Sequence, residues 1–231
     1  MAKISSVFNK MNIIFLVLLL AIVMVGEFVM EGMHLHTWPA FIVMIFFFMA
    51  HMNMKEVPAI LLGSAFGMIN LVLIELWVVS TVPLLGGNLT KYSDPHTVEA
   101  IFYSKLIYIA LFISLIVFLK DILPWIFNNY AFMSFTIAAA ISGGHTAAAV
   151  AAKTVAGHAN AVAAAGGDPA LIEAMKGATD KAIASSVPVT NVYQWIGIEL
   201  IGGACFVLGI YGIHKFLAKL EAASSKVQIA K

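Results

Sequence analysis

Apolar residues follow one another along most of this chain in long runs that are separated by short polar stretches. We interpret the runs as membrane-spanning helices at residues 11–33, 38–52, 59–82, 98–119, 122–141 and 192–217. A helix needs about 20 mostly apolar residues to cross the hydrocarbon core of a bilayer. Short turns join the first three helices, so these must be antiparallel neighbours. The pattern predicts an all-α fold, a polytopic membrane helical bundle with about six transmembrane helices, in a single membrane domain, residues 1–231.

The fifth and sixth helices are separated by a stretch of different composition, residues 143–188, which is dominated by alanine. The sequence Gly-Gly-Asp-Pro at Gly166–Pro169 divides this stretch, and Asp168 and Pro169 suit the N-cap and the first residue of a new helix. Neither half is as apolar as the other spans. We therefore predict an Ala-rich extramembrane helical hairpin between helices five and six, with a low-complexity flexible linker as the alternative.

Composition supports a membrane protein and argues against several functions. Of the 231 residues, 61% are hydrophobic and 11% are charged, whereas soluble domains carry about 25% charged residues. The lipid bilayer is therefore the predicted partner. The formal net charge is only +1 and the sequence has no basic patch, which argues against nucleic-acid binding. All 13 basic residues are lysine, so no arginine can clamp a carboxylate or phosphate through two parallel hydrogen bonds.

The distribution of the lysines predicts an orientation. Six spans place both termini on the same side of the membrane, and that side holds the larger share of the lysines. Short loops rich in lysine stay on the cytoplasmic side. We predict a multi-pass protein of the bacterial inner (plasma) membrane, with its N- and C-termini in the cytoplasm.

The first predicted helix carries three polar residues on one face. Glu27, Glu31 and His34 follow an apolar run with spacings of i, i+4 and i+7, which a helix places in one stripe. An ionised carboxylate in contact with lipid costs roughly 2–3 kcal/mol even on lenient insertion scales. We therefore expect this face to meet protein, water or a bound solute.

Two further glutamates lie inside predicted helices at a similar depth. Glu75 belongs to the third helix and Glu199 to the last one. At 1.5 Å per residue, Glu27, Glu75 and Glu199 all lie roughly 9–11 Å below the outer boundary of the bundle. Carboxylates at one depth, with imidazoles on the same side, would form a titratable vestibule that concentrates cations or relays protons. The alternative is that each glutamate only bonds to a neighbouring helix.

These residues favour a small-solute channel or transporter whose carboxylate-lined outer vestibule accepts a cation, a proton-coupled solute or a small polar solute. The predicted solute-binding residues are Glu27, Glu31, Glu75, Glu199 and His34. We assign no catalytic residue and favour a protein that is not an enzyme, and we expect a homo-oligomer or a subunit of a membrane complex.

Two alternatives follow from the same residues and from the Ala-rich stretch. One is a membrane metalloenzyme subunit, because carboxylates and imidazoles bind transition metals. Its candidate ligands are Glu27, Glu31, His34 and His36, and the identity of any cofactor is left open. The other is a structural or accessory subunit whose Ala-rich hairpin docks a partner.

A motif pattern around the second and third helices carries a family resemblance. It runs through HLHTWPAFIVMIFFFMAHMNMKEVPAILLGSAFGMINLVLIELWVV, with the helix entry Thr37-Trp38-Pro39-Ala40-Phe41 and a Lys-containing turn before a Ser/Gly-containing helix. The end of the fifth helix, FMSFTIAAAISGG, adds an Ala-rich segment. Over residues 12–144 the chain resembles the small bacterial inner-membrane proteins of the domain of unknown function ten-ninety-seven family. The resemblance implies a compact helical membrane protein and supplies no mechanism.

Overall fold

The computed structural model describes residues 10–89, 94–142, 158, 161–186 and 192–229. Within these ranges every regular element is helical, which confirms the predicted all-α fold. The helices used below are α1 (Lys10–Gly32), α2 (Trp38–Met49), α3 (Val57–Thr81), α4 (Pro95–Leu119), α5 (Asn129–Ser142), α6 (Pro169–Ser186) and α7 (Val192–Ile229). Short 3-10 turns, Met54–Glu56 and Pro83–Leu85, lie before and after α3.

Four helical segments are long and apolar enough to cross a membrane, namely Met11–Gly32, Met54–Thr81, Pro95–Leu119 and Val192–Ala223. The apolar helices α2 and α5 are shorter, with 12 and 14 residues. At 1.5 Å per residue they are about 18 and 21 Å long, less than the hydrocarbon core of about 30 Å. The described residues therefore indicate a membrane protein with four candidate spans, and the count of six stays a prediction.

Local hydrogen bonds and prolines decide where the helices begin. Asp94 Oδ1 accepts a hydrogen bond from the His96 N–H over 3.3 Å, so α4 begins at Pro95, before the predicted residue 98. The apolar pattern predicts that the fifth helix begins at residue 122. In the structure, residues 120–128 form turns and α5 begins at Asn129. Asn128 Oδ1 accepts a hydrogen bond from the Ala131 N–H over 3.1 Å, and this N-cap stabilises the later start.

The Ala-rich stretch is described only in part. Its second half is α6, and the predicted cap is confirmed because Asp168 Oδ1 accepts a hydrogen bond from the Ala170 N–H over 2.9 Å. Most of its first half, residues 143–157, lies outside the described residues, so the hairpin stays a prediction. The last helix is longer than predicted, since α7 has 38 residues, or about 57 Å at 1.5 Å per residue.

The chain divides into two compact units, and the boundary falls within α3. The first unit is Met1–Ala65 with Tyr193–Lys231, and the second is Phe66–Val192. In the first unit, α2 and α7 meet at the buried residues Ala40, Ile198 and Phe206. The prediction of a single membrane domain stays a prediction.

In the first unit, α1 packs closely on glycines of α7. A Cβ on Gly209 would lie 2.9 Å from Ile22 Cδ1, and one on Gly202 would lie 2.8 Å from Met30 Cε. The later residue of α1 meets the earlier residue of α7, so the two helices are antiparallel. Small residues at helical spacing allow this close approach between membrane helices.

In the second unit, α3 crosses α5 at Gly67. A Cβ on Gly67 would overlap the carbonyl oxygen of Ala131 and would lie 2.9 Å from the backbone nitrogen of Phe135. The two helices therefore touch backbone to backbone. Phe112 of α4 packs on Phe135, with the ring centroids 5.2 Å apart, so α4 and α5 also meet through aromatic rings.

Candidate functional site

One pocket in the first unit is lined by polar side chains. It lies where α1 ends and α2 begins, and its volume is about 450 Å³. The lining residues are Glu27, Glu31, His34, Leu35, His36, Thr37 and Trp38. Glu27 and Glu31 therefore line the pocket from α1 as predicted. The predicted helical position of His34 is wrong, because α1 ends at Gly32, and His34 and the metal candidate His36 reach the pocket from the turn that follows. We call this the Glu–His pocket.

The backbone between the two helices turns sharply at the Glu–His pocket. His34 has a positive φ of 55°, a conformation that few residues other than glycine adopt, although histidine is enriched among them. The Leu35 N–H then donates a hydrogen bond to the Met30 carbonyl over 2.9 Å, which closes the end of α1. This turn brings His36 and Thr37 to the pocket wall. Backbone strain of this kind clusters at functional sites.

A hydrogen bond positions one of the two pocket carboxylates. Thr37 Oγ1 donates to Glu27 Oε1 over 3.5 Å. Thr37 precedes the first residue of α2, so the carboxylate lies near the N-terminus of that helix, where the helix dipole favours negative charge. The hydroxyl is a neutral donor, so this hydrogen bond brings no positive charge to the carboxylate.

The Glu–His pocket is open at the surface of the first unit. Glu27, Glu31, His34 and His36 all have exposed side chains. Carboxylates attract cations, and imidazole is the side chain that exchanges protons most readily near neutral pH. Over the part of the chain that the structure describes, no group of three or more His, Cys, Asp or Glu side chains is arranged to hold a metal ion.

Glu199 belongs to the same unit but does not line the Glu–His pocket. Its side chain is fully buried, with 0% of its surface exposed. One turn earlier on α7, the Trp195 ring packs edge-on against the Trp38 ring, with the centroids 5.0 Å apart. Exposure therefore divides the predicted carboxylates of this unit into an open pair, Glu27 and Glu31, and a buried one.

Hydrogen bonds join α3 to α4 in the second unit. The Tyr108 hydroxyl donates to Asn70 Oδ1 over 2.8 Å, and Trp77 Nε1 donates to the Ser104 carbonyl over 3.0 Å. The hydroxyls of Thr81 and Ser104 also bond to each other. We call these contacts the polar seam. Its polar groups lie on two candidate membrane helices, where unpaired groups are costly.

Glu75 lies in this second unit and has a charged neighbour that sequence reasoning missed. Glu75 is half-buried on α3, and Lys105 is half-buried on α4. The two side chains interact electrostatically. The signal in the sequence is a single lysine inside the apolar run 98–119. The predicted layer shared by Glu27, Glu75 and Glu199 stays a prediction.

Removing one hydroxyl from the polar seam should measurably weaken the second unit. We expect Tyr108→Phe to lower the free energy of unfolding by about 1 kcal/mol, because it leaves Asn70 Oδ1 without its donor. Unfolding by SDS in mixed micelles measures this change. The matched control is Tyr103→Phe, which removes the hydroxyl of an exposed tyrosine on the same helix. Equal stabilities of the two variants would contradict the assigned role of the seam.

A second groove of the first unit is mainly apolar. It lies between α1 and α7, has a volume of about 760 Å³ and is lined by apolar residues such as Val25, Val29 and Ile201, with Gln194 as a polar exception. Both helices belong to candidate membrane spans. Among the described residues, no charged side chain lines this groove, in contrast to the Glu–His pocket.

Comparisons with known proteins leave the chain without an assigned family. The resemblance over residues 12–144 therefore stays a prediction. No protein-family model, no curated protein and no solved structure matches this sequence.

Proposed function

We propose that this protein is a small-solute channel or transporter of the bacterial inner membrane, and that solutes enter through the Glu–His pocket. The observation that carries the proposal is the convergence of two carboxylates and two imidazoles on one pocket of about 450 Å³. The unit that contains this pocket also contains α1 and α7, which are candidate membrane-spanning helices.

The chemistry of the pocket favours a cation or a protonated solute. Glu27 and Glu31 are two carboxylates one helical turn apart, and none of the described residues that line the pocket is a lysine. Fixed charges of one sign in a cleft raise the local concentration of ions of the opposite sign. Imidazole is the side chain that exchanges protons most readily near neutral pH, so the neighbouring histidines suit a proton-coupled solute. The cytoplasmic termini and assembly as a homo-oligomer or complex subunit remain part of the proposal.

Flux through proteoliposomes tests this proposal. We expect the purified protein to admit Tl⁺, a potassium-sized probe, and Glu27→Gln with Glu31→Gln to lower the initial rate by about tenfold, equivalent to about 1.4 kcal/mol. The amides keep the shape of the side chains but remove the charges that attract the cation.

The matched control is Glu56→Gln, because Glu56 is exposed in the same unit but does not line the pocket. An unchanged rate in the double variant would refute the role of the pocket. A wild-type rate equal to that of empty liposomes would refute cation transport. The same assay on Glu75→Gln and on Glu199→Gln tests the prediction that these two carboxylates act in transport.

No observation on the described residues specifically favours either of the two alternative functions. The metalloenzyme hypothesis needs a ligand cluster, and the described residues contain none of three or more groups. Elemental analysis of the purified protein would decide it. The accessory-subunit hypothesis depends on the Ala-rich stretch, whose first half lies largely outside the described residues.

A further inference from the structure

We propose that the apolar groove between α1 and α7 and the Glu–His pocket form one binding site for a cationic amphiphile, meaning a single alkyl chain with an ammonium headgroup. The chain lies in the groove, and the headgroup lies beside Glu27 and Glu31. Both cavities belong to the first unit. Such an amphiphile is one solute class of the proposed function, and its transport rests on that function, whereas its binding can be tested by itself.

The groove and the pocket adjoin at the end of α1. Leu35, which follows this helix, lines both of them. Gln194, the polar exception among the described residues of the groove, lies at the same end. The ring of its neighbour Trp195 packs on the ring of Trp38, which lines the pocket, with the centroids 5.0 Å apart. The groove therefore becomes polar where it approaches the pocket, as a site for an amphiphile requires.

The groove has the length and the depth that a lipid-like chain needs. Its volume is about 760 Å³, and its lining on α1 runs from Leu18 to Met30, about 18 Å at 1.5 Å per residue. One leaflet contributes half of the hydrocarbon core, about 15 Å, so an alkyl chain of that length fits along the groove. The pocket lies at the end of the candidate span Met11–Gly32, which is where a headgroup belongs.

The groove is accessible from the side. Val25, Val29 and Ile201 line it and have exposed side chains, so a chain can enter laterally from the bilayer. Gly197 also lines it, and none of the described residues has an atom within 4 Å of a Cβ at this position. The space beside Gly197 is therefore open to a ligand.

The charges of the pocket select the headgroup. Glu27 and Glu31 attract a cation, and Trp38 adds an indole ring, the aromatic group that attracts ammonium ions best. None of the described residues that line either cavity is a lysine. The phosphate of a phospholipid would thus lie beside two carboxylates without a lysine to balance it, and like charges in contact are unfavourable. A headgroup that carries only positive charge fits this pocket better.

Photolabelling in lipid nanodiscs tests the site in the wild-type protein. The probe is hexadecyltrimethylammonium with a diazirine on its chain, and mass spectrometry identifies the labelled residues. We expect saturable labelling of α1 and α7 that unlabelled hexadecyltrimethylammonium prevents. Hexadecanol has the chain without the charge and should need a concentration at least about tenfold higher. Labelling that does not saturate, or equal competition by hexadecanol, would overturn the proposal.

Two pairs of variants test the chain and the headgroup separately. Gly197→Leu fills the groove and should raise the half-competing concentration by about tenfold. Its matched control is Gly212→Leu, since Gly212 is also on α7, has no described atom within 4 Å of a Cβ and does not line the groove. Glu27→Gln with Glu31→Gln should raise the concentration by a similar factor, and Glu56→Gln should not. The absence of a difference within either pair would overturn the proposal, and the wild-type competition decides it if a variant does not fold.

Binding and transport can fail independently. If wild-type liposomes admit no Tl⁺ but the labelling is saturable, selective for the charged competitor and weakened in the variants, the proposed function fails and the binding site stands. If the Tl⁺ flux depends on Glu27 and Glu31 but the labelling does not saturate, the binding site fails and the proposed function stands.

Discussion

Replacing Gly67 with alanine is expected to lower the free energy of unfolding by about 3 kcal/mol, the upper end of the usual range for one added methyl in a packed site. The added carbon would overlap the Ala131 carbonyl oxygen and crowd the Phe135 nitrogen. Both neighbours are backbone atoms of α5, so no side-chain rotation relieves the contact. The helices would have to separate, and the packing of Phe112 on Phe135 would loosen.

The matched control for this variant is Gly177→Ala on α6. None of the described residues has an atom within 4 Å of a Cβ at Gly177, so the change should stabilise the helix by up to about 1 kcal/mol through helix propensity alone. Unfolding by SDS in mixed micelles compares the two variants. If Gly67→Ala were as stable as the wild type, α3 and α5 could not be as close as the structure has them.

Glu199→Lys is expected to cost about 3–5 kcal/mol, the range measured when a buried charge is left without compensation. The side chain of Glu199 has 0% of its surface exposed. A lysine would place a positive charge and a longer side chain in the same buried space. We expect low yield from membranes and an early unfolding midpoint in detergent.

Two further variants separate charge from burial at this position. Glu199→Gln keeps the size of the side chain and one acceptor oxygen, so it should cost only about 1 kcal/mol. Glu56→Lys makes the same charge reversal at an exposed position and should leave stability nearly unchanged. A Glu199→Lys protein as stable as Glu56→Lys would show that this glutamate is not buried in the membrane-extracted protein.

The helical fold was predictable because its signals are local. Unbroken apolar runs identified the helices, and the cap at Asp168 followed from residue type alone. The first residue of the fifth helix could not be predicted in this way. Its apolar residues begin at residue 122, but the turns through residue 128 and the cap at Asn128 move its start to Asn129. A hydrophobic run alone does not reveal whether its first residues are helical.

The candidate site was likewise predictable only in part. Glu27 and Glu31 share a pocket because they lie one turn apart on α1, and the sequence by itself determined that much, whereas His34 joins them through the turn that follows α1. Only the tertiary structure decided that Glu199 is buried and that Lys105 interacts electrostatically with Glu75. Burial and charge pairing depend on which helices are neighbours and on how they are rotated. Those properties arise from contacts between residues far apart in the chain, such as Tyr108 with Asn70, and hydrophobic periodicity does not contain them.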